Sequence, residues 1–368
     1  MISVDFRDEI VQTTRQAASA AGFDLSGITP IRDEDFPEID AFVEWIDAGH
    51  AGEMAYMEKR TPTGALRRAS AKNAAPWVRS VVVCALNYSA DKPYSTLVND
   101  PRRGWISRYA WGARDYHDVL LPRLEQVEHA LQDLATTHQI PIETRSYVDT
   151  GPILERMYAK YAGIGWLAKN TCVINQEMGS WLFLGVILTS LDLGPGPPPQ
   201  LPAPDRCGSC TRCIDACPTE AIVAPGKLDA RRCIAYLTIE KRGDIPEQMR
   251  ASIGHHVFGC DICQDVCPWN NKGRNSSSKV VEEFQPRDGL FHPELEWLAQ
   301  MDEPSYREVF RGSPVRRAKF AGLLRNVAVA MGNSGQKDFA PILKKMSANG
   351  DAMIAEHARW ALNKLGCR

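Results

Sequence analysis

The run "CGSCTRCIDACPTEAI", Cys207 to Ile222, places four cysteines within eleven residues. Cys207-x2-Cys210-x2-Cys213-x3-Cys217-Pro218 is the bacterial ferredoxin spacing, in which the fourth cysteine ligates the other cluster. Cys233 follows, and then Cys260-x2-Cys263-x3-Cys267-Pro268. These eight thiolates match the demand of two 4Fe–4S cubanes without remainder. By the crossing rule Cys207, Cys210, Cys213 and Cys267 hold one cluster, and Cys217, Cys233, Cys260 and Cys263 hold the other. Zinc ribbons use paired x2 spacings, so this run argues against zinc. Such clusters pass electrons singly, and the rest of the chain has to supply their destination.

The remaining cysteines of the 11 are Cys84, Cys172 and Cys367. Cys84 lies in the apolar stretch "VRSVVVCALNYS", which reads as a buried strand, so it is expected to pack in a core. The N-terminus carries acids and has no apolar h-region, so it does not read as a signal peptide. The longest apolar run, "WLFLGVILTSL", is too short for a membrane span. A cytoplasmic location is therefore expected, with no membrane partner and with cysteines acting as metal ligands or free thiols.

The elements that must position these thiols fall into three parts. Residues 2–22 have helical spacing and end at Gly22. "DYHDVLLPRLEQVEHALQDLATTH" predicts a long amphipathic helix that Pro122 kinks or starts. "PIETRSYVDT" predicts a strand. "GPILERMYAKYAGIG" predicts a helix, with Asp149 or Thr150 as its cap and Pro152 in its first turn. "TCVINQ" and "WLFLGVILTSL" predict two more strands. The fold class is therefore α+β, with an N-terminal α/β domain over 1–195. The proline-rich "DLGPGPPPQLPAPD" is a semi-rigid connector, and a ferredoxin-like two-cluster module occupies 196–285. The tail, 290–368, is helical. "NVAVAMGNSG" and "HARWALNKLG" repeat an apolar helix that ends in glycine, the texture of HEAT-like repeats, with a plain helical bundle as the equal alternative.

At 368 residues, 44% hydrophobic and 24% charged, the chain is ordinary for a folded protein of two or three domains. A net charge of -2 gives no global field for a nucleic acid, so an RNA partner needs local basic clusters. No G-x-G-x-x-G opens a βα unit, and there is no Walker loop. "DYHDVL" lacks the glycine of a D-x-H-x-x-G corrin motif, so a histidine-ligated corrin is not supported.

Taken together, "GEMAYMEKR", "ISRYAWGARDYHDVL", "VDTGPILER", "AGIGWLAKNT", "GSWLFLG", "DARRCIAYLTIE", "GCDICQDVCPWN" and "RNVAVAMGN" resemble the epoxyqueuosine reductase family along most of the chain. That family completes queuosine in tRNA. Its organisation is similar to that of reductive dehalogenases, with a corrin-binding domain joined to a two-cluster module. The resemblance implies base-off cobalamin as cofactor, beside two 4Fe–4S clusters. It makes the group of Cys217, Cys233, Cys260 and Cys263 the cofactor-side cluster. It also implies Asp149 as proton donor and cobalamin contact, with Arg60, Ser107, Lys169, Asn170, Val173, Asp261 and Ile262 as further cobalamin contacts.

On the residues alone, Asp149 reads as a helix cap before Pro152, whereas the resemblance makes it an acid and leaves the cap to Thr150. An acid must carry its proton, and burial against a corrin favours the neutral carboxyl. Tyr109, Trp111 and His117 are placed to stack or to pack. The implied partner is a tRNA anticodon stem-loop, with Lys241, Arg242, Arg316, Arg317 and Lys319 along its path. An unidentified donor supplies the electrons, and a monomer is expected. Two other readings share the cysteines. One is a corrinoid small-molecule reductase of the dehalogenase kind. The other is a ferredoxin-type electron carrier with a protein-binding tail.

Overall fold

In the computed structural model, residues 4–194, 198–272 and 281–367 are described. The first helix spans Val4–Ala20, and the chain turns at Gly22 into the strand Leu25–Pro30. This strand joins a four-stranded sheet. Its spatial order is Leu25–Pro30, Ser80–Asn87, Leu182–Thr189, Thr144–Tyr147, and every neighbouring pair is antiparallel. The N-terminal part is therefore α+β rather than α/β. Its strands alternate with helices along the chain, yet none of the sheet's hydrogen-bonded pairs is parallel.

The strand Ser80–Asn87 is buried along its whole length, because it has a core on each face. Val82, Cys84 and Leu86 pack under the first helix and the long helix Tyr116–Thr137. Val81, Val83 and Ala85 face the helix Glu155–Tyr161. This is the period-two division of a central strand, and it places Cys84 in the core as expected. Gly185 lets the long helix approach the sheet, since an added Cβ would lie 2.7 Å from a Leu124 methyl.

Two local expectations are corrected. The long helix starts at Tyr116, capped by Asp115, whose carboxylate accepts from the His117 backbone N–H at 3.1 Å. Pro122 lies inside the helix. It removes the hydrogen bond to the Asp118 carbonyl, and an Arg114 guanidinium donates to that carbonyl at 3.0 Å. The helix expected from Pro152 begins only at Glu155, and no side chain caps it. Asp149 and Thr150 are thus not caps. Asp149 sits in a left-handed turn with φ 55°, which leaves its carboxyl available for other partners.

In the cysteine module, two one-turn helices, Arg212–Asp215 and Ile262–Asp265, carry Cys213 and Cys263. The strand His256–Phe258 pairs in parallel with Trp105–Ile106 and ties the module to the N-terminal part. The tail contributes the helices Leu295–Ala299, Glu303–Val309, Lys319–Asn333, Ala340–Ser347 and Ala352–Lys364. Its core is shared, with Trp105, Ile106, Trp111, Val257 and Phe258 packing among the tail leucines and methionines. Trp111 is fully buried, so it packs and does not stack on a ligand.

The "RNVAVAMGN" stretch forms this junction. Arg325 donates to the Lys241, Gly243 and Leu237 carbonyls, and Asn326 donates to the Thr238 and Val257 carbonyls at 2.8 Å. Burial holds Arg325 down to about 10, and carbonyl oxygens occupy its guanidinium. No described helix is long and apolar enough to cross a membrane.

Candidate active site and cysteine centres

Cys207, Cys210, Cys213 and Cys267 line one cavity of about 210 Å³, together with Lys169, Asn170, Arg206 and Arg212. Burial and the neighbouring sulfurs of Cys267, Cys207 and Cys210 push the Cys213 thiol up to about 11. Cys217, Cys233, Cys260 and Cys263 form a second group. Burial raises the Cys260 thiol well above its usual range, and Cys233 and Cys217 add to the effect. These are the two groups that the spacing predicts.

Among the described residues, no three of these sulfurs lie within 4.8 Å of one another. A tetrahedral zinc with bonds of about 2.3 Å needs its sulfurs about 3.8 Å apart, so the spread suits a larger centre. A thiol raised by burial and neighbouring sulfurs must lose its proton to bind a metal, so metal loading at such a site would be tied to the fold. A fifth sulfur was missed. Cys172 neighbours Cys263, at the end of a turn in which Asn170 accepts from the Cys172 N–H at 3.2 Å.

Asp149 is assembled into a face by residues far away in sequence. The Tyr116 hydroxyl donates to its Oδ2 at 3.1 Å, and Arg317 Nη1 lies 3.5 Å from the same oxygen. The Tyr116 ring lies flat on Phe183, 4.5 Å between centroids and 7° between planes. Burial pushes its phenol well above the usual range, so it remains a neutral donor. Arg317 also pairs through Nε with Glu240 at 2.6 Å and donates to the Tyr56 hydroxyl at 3.3 Å.

Behind this face lies Glu155. Its Oε1 is buried without a partner, and Arg68 is 4.0 Å from its other oxygen. Burial, with Asp149 adding to it, pushes Glu155 up to about 8. The spacing of residues did not point to Tyr56, Tyr116, Glu240 or Glu155. All four nevertheless lie within the quoted motifs, Tyr56 in "GEMAYMEKR", Tyr116 in "ISRYAWGARDYHDVL", Glu155 in "VDTGPILER" and Glu240 in "DARRCIAYLTIE".

The other expected contacts divide. Asp261 is 2% exposed and accepts from Trp105 Nε1 at 3.0 Å, from the Arg108 backbone N–H at 2.8 Å and from the Ser107 hydroxyl. With its side chain turned inward, the backbone of Gly259–Ile262 is what this turn can offer a ligand. Gly259 has φ 72° and packs so closely on Ser107 that an added Cβ would lie 2.4 Å away. Lys169 donates to the Gly208 and Cys210 carbonyls, so it clamps the outer cysteine loop. Asn170 is buried and donates to the Cys263 carbonyl. Val173 is buried in a two-stranded ribbon, and Arg60 is exposed, donating to the Gly64 carbonyl at 2.9 Å.

Of the expected RNA contacts, Lys241 pairs with Glu53, and Arg242 donates to the Arg317 carbonyl at 2.8 Å. Arg316 and Lys319 are exposed. His117 is held by Asp115 at 2.6 Å, and its Nε2 is buried without a partner.

Comparison with known proteins decides what these parts belong to. Residues 206–270 match the 4Fe-4S double cluster binding domain, and residues 68–150 match the model described as Epoxyqueuosine reductase QueG, DUF1730. The epoxyqueuosine reductase of Xanthomonas campestris pv. campestris is 39% identical over 356 residues, covering 96% of this chain and 95% of the relative. The chain belongs to the epoxyqueuosine reductase family. The Synechocystis epoxyqueuosine reductase is 42% identical over 82% of this chain and 98% of its own length. A crystal structure of epoxyqueuosine reductase with an epoxyqueuosine-modified stem loop of tRNA-Tyr superposes with a TM-score of 0.82. It is 31% identical, over 98% of this chain and 91% of that one. Membership makes the protein an oxidoreductase with an iron–sulfur module, and the fold of the whole chain is that of the family.

Proposed function

We propose that this protein reduces epoxyqueuosine to queuosine at the wobble position of a tRNA anticodon loop, drawing electrons through two 4Fe–4S clusters to cobalamin. The observation that carries this reading is the alignment with epoxyqueuosine reductases over 96% of the chain. The stem-loop complex of a family member supports tRNA as the partner. The two cysteine groups supply a ligand set for each cluster, with Cys207, Cys210, Cys213 and Cys267 as the electron entry and Cys217, Cys233, Cys260 and Cys263 as the delivery end.

The residues present fit a corrin. The Gly259–Ile262 turn carries Cys260 and offers backbone polar groups, and Arg68 Nε and Glu155 Oε1 lie buried without partners behind Asp149. Arg60, Ser107, Val173 and the Asp261–Ile262 backbone would hold the cofactor. Lys169 and Asn170 would brace the cysteine loops against it. Cobalamin supplies the two-electron reductant when bound.

The remaining chemistry falls to the chain. Opening the epoxide to an alkene consumes two electrons and two protons and releases water. An alkoxide leaves poorly, so the oxygen needs a proton, and Asp149 is the carboxyl placed to deliver it. Tyr116 orients that carboxyl. Arg316 and Lys319 meet the RNA backbone.

The decisive experiment is anaerobic reconstitution with iron, sulfide and cobalamin, followed by turnover of an epoxyqueuosine-bearing anticodon stem-loop read by mass spectrometry. The expected result is about eight irons per chain, a retained corrin spectrum and conversion to queuosine. Protein that carries clusters but no corrin would be an electron carrier. Protein that dehalogenates small molecules and leaves the stem-loop untouched would be the dehalogenase-like reductase.

A further inference from the structure

The Asp149 carboxyl is occupied by two partners and is not open to a substrate. Its Oδ2 lies 3.5 Å from Arg317 Nη1 and accepts from Tyr116 at 3.1 Å. Guanidinium does not lose its own proton, so it cannot supply one to the oxygen it occupies. If Asp149 is the proton donor, as proposed above, Arg317 must leave it before the chemistry.

Arg317 sits on the short helical turn Pro314–Ala318, between exposed Arg316 and exposed Lys319. Its backbone is fixed by Arg242, which donates to its carbonyl at 2.8 Å, while its side chain is 38% exposed. Nε pairs with Glu240 at 2.6 Å, and Nη2 donates to Tyr56 at 3.3 Å. The guanidinium therefore belongs to a basic edge on one side and to two carboxylates on the other. Asp149 stands on a turn with φ 55°, outside any helix or strand, so releasing it breaks no backbone ladder.

We propose that Arg317 is a positioning residue that parks Asp149 in the RNA-free enzyme and releases it when an RNA phosphate takes the guanidinium. Phosphate suits the exchange, because it accepts two parallel N–H bonds from arginine as a carboxylate does, and Arg316 and Lys319 already favour an anion at this edge. The device withholds the acid until RNA is seated, so reducing equivalents at the site meet a proton donor only in the presence of substrate.

The test follows from reciprocity: if phosphate and Asp149 compete for one guanidinium, removing the carboxylate charge must strengthen RNA binding. The probe is an unmodified anticodon stem-loop, with affinity measured on the cluster-loaded full chain for the parent, Asp149→Asn, Arg317→Gln and the double variant. Asp149→Asn is expected to tighten stem-loop binding about three- to tenfold in the parent, and by less than about twofold in the Arg317→Gln background. Arg317→Gln alone is expected to weaken binding and lower the salt slope by about one, and Arg317→Lys to restore the slope. Glu240→Gln, which also loosens the guanidinium, is expected to tighten binding in the same direction and covers the case in which Arg317→Gln folds poorly.

Unchanged or weaker stem-loop binding by Asp149→Asn overturns the proposal, as does equal tightening in both backgrounds. The acid role is judged separately by the turnover of Asp149→Asn. Unchanged turnover would end that role while leaving the binding cycle readable.

Discussion

Two turns carry an aspartate from the family's motifs, and they use it in opposite ways. Asp149 has 53% of its side chain exposed, on a left-handed turn, and its partners are a tyrosine and an arginine from elsewhere in the chain. Asp261 is 2% exposed and is closed off by Trp105, Ser107 and the Arg108 backbone. Next to it, burial and the Asp261 charge push Asp265 up to about 7. A carboxylate with both oxygens engaged in a dry site is a fastener, because moving it would strand its donors. A carboxylate with exchangeable partners at a wet face can change partners and position. Motif membership alone does not distinguish the two, but burial and partner count do.

The comparison breaks most sharply at Asp149. Asp149→Asn is expected to lower stem-loop turnover about 10²- to 10⁴-fold while leaving stability within about 0.5 kcal/mol, since asparagine also tolerates positive φ. Single-turnover kinetics beside a denaturant titration read both quantities. Asp261→Ala is expected to do the reverse at its own site. It strands the Trp105 and Arg108 N–H groups and costs about 3 kcal/mol or more in the same titration. A variant at Asp261 with parental stability would sink the fastener assignment.

Glu155 lies between these extremes, half-enclosed behind the Asp149 face. Its carboxyl rises from 4.5 to about 8 on folding, chiefly through burial. Between those values the unfolded chain releases the proton while the folded chain keeps it, so stability falls as pH rises through this window and is level below it. Glu155→Gln is expected to flatten that slope, gaining about 1–3 kcal/mol over the parent at pH 8 and little at pH 4.5, by urea titration at several pH values. The smallest effect belongs to Tyr116→Phe. It removes one hydrogen bond to Asp149 and keeps the stack on Phe183, so turnover should fall about three- to tenfold with the melting temperature unchanged. A hundredfold loss there would make Tyr116 more than an orienting group.

How far the residues were readable depended on the range over which their information acts. The cysteine spacing predicted both groups, because three thiolates around one centre must come from adjacent turns. The central strand and the long helix were legible from β-branching and 3.6-residue periodicity. Of the two readings of Pro122, a kink or a start, the start is excluded, since Pro122 lies inside the helix; the Arg114 side chain that satisfies the freed Asp118 carbonyl leaves no mark on periodicity. The cap expected at Asp149 or Thr150 failed because the helix starts only at Glu155, after Ile153 and Leu154 have packed against the core.

The face around Asp149 was the least legible part. Tyr116 lies 33 residues from Asp149, and Tyr56 lies 261 residues from Arg317. The sequence by itself determined the family, the spacing that groups the cysteines and the main elements of the N-terminal part, all of which rest on local spacing or on long stretches of shared motif. Only the tertiary structure decided that the sheet is wholly antiparallel, that the tail shares its core with the other two parts, and that Arg317 reaches Asp149 as well as the basic edge. Those features depend on which surfaces meet when apolar area is buried, and the order of residues along one segment does not contain that outcome.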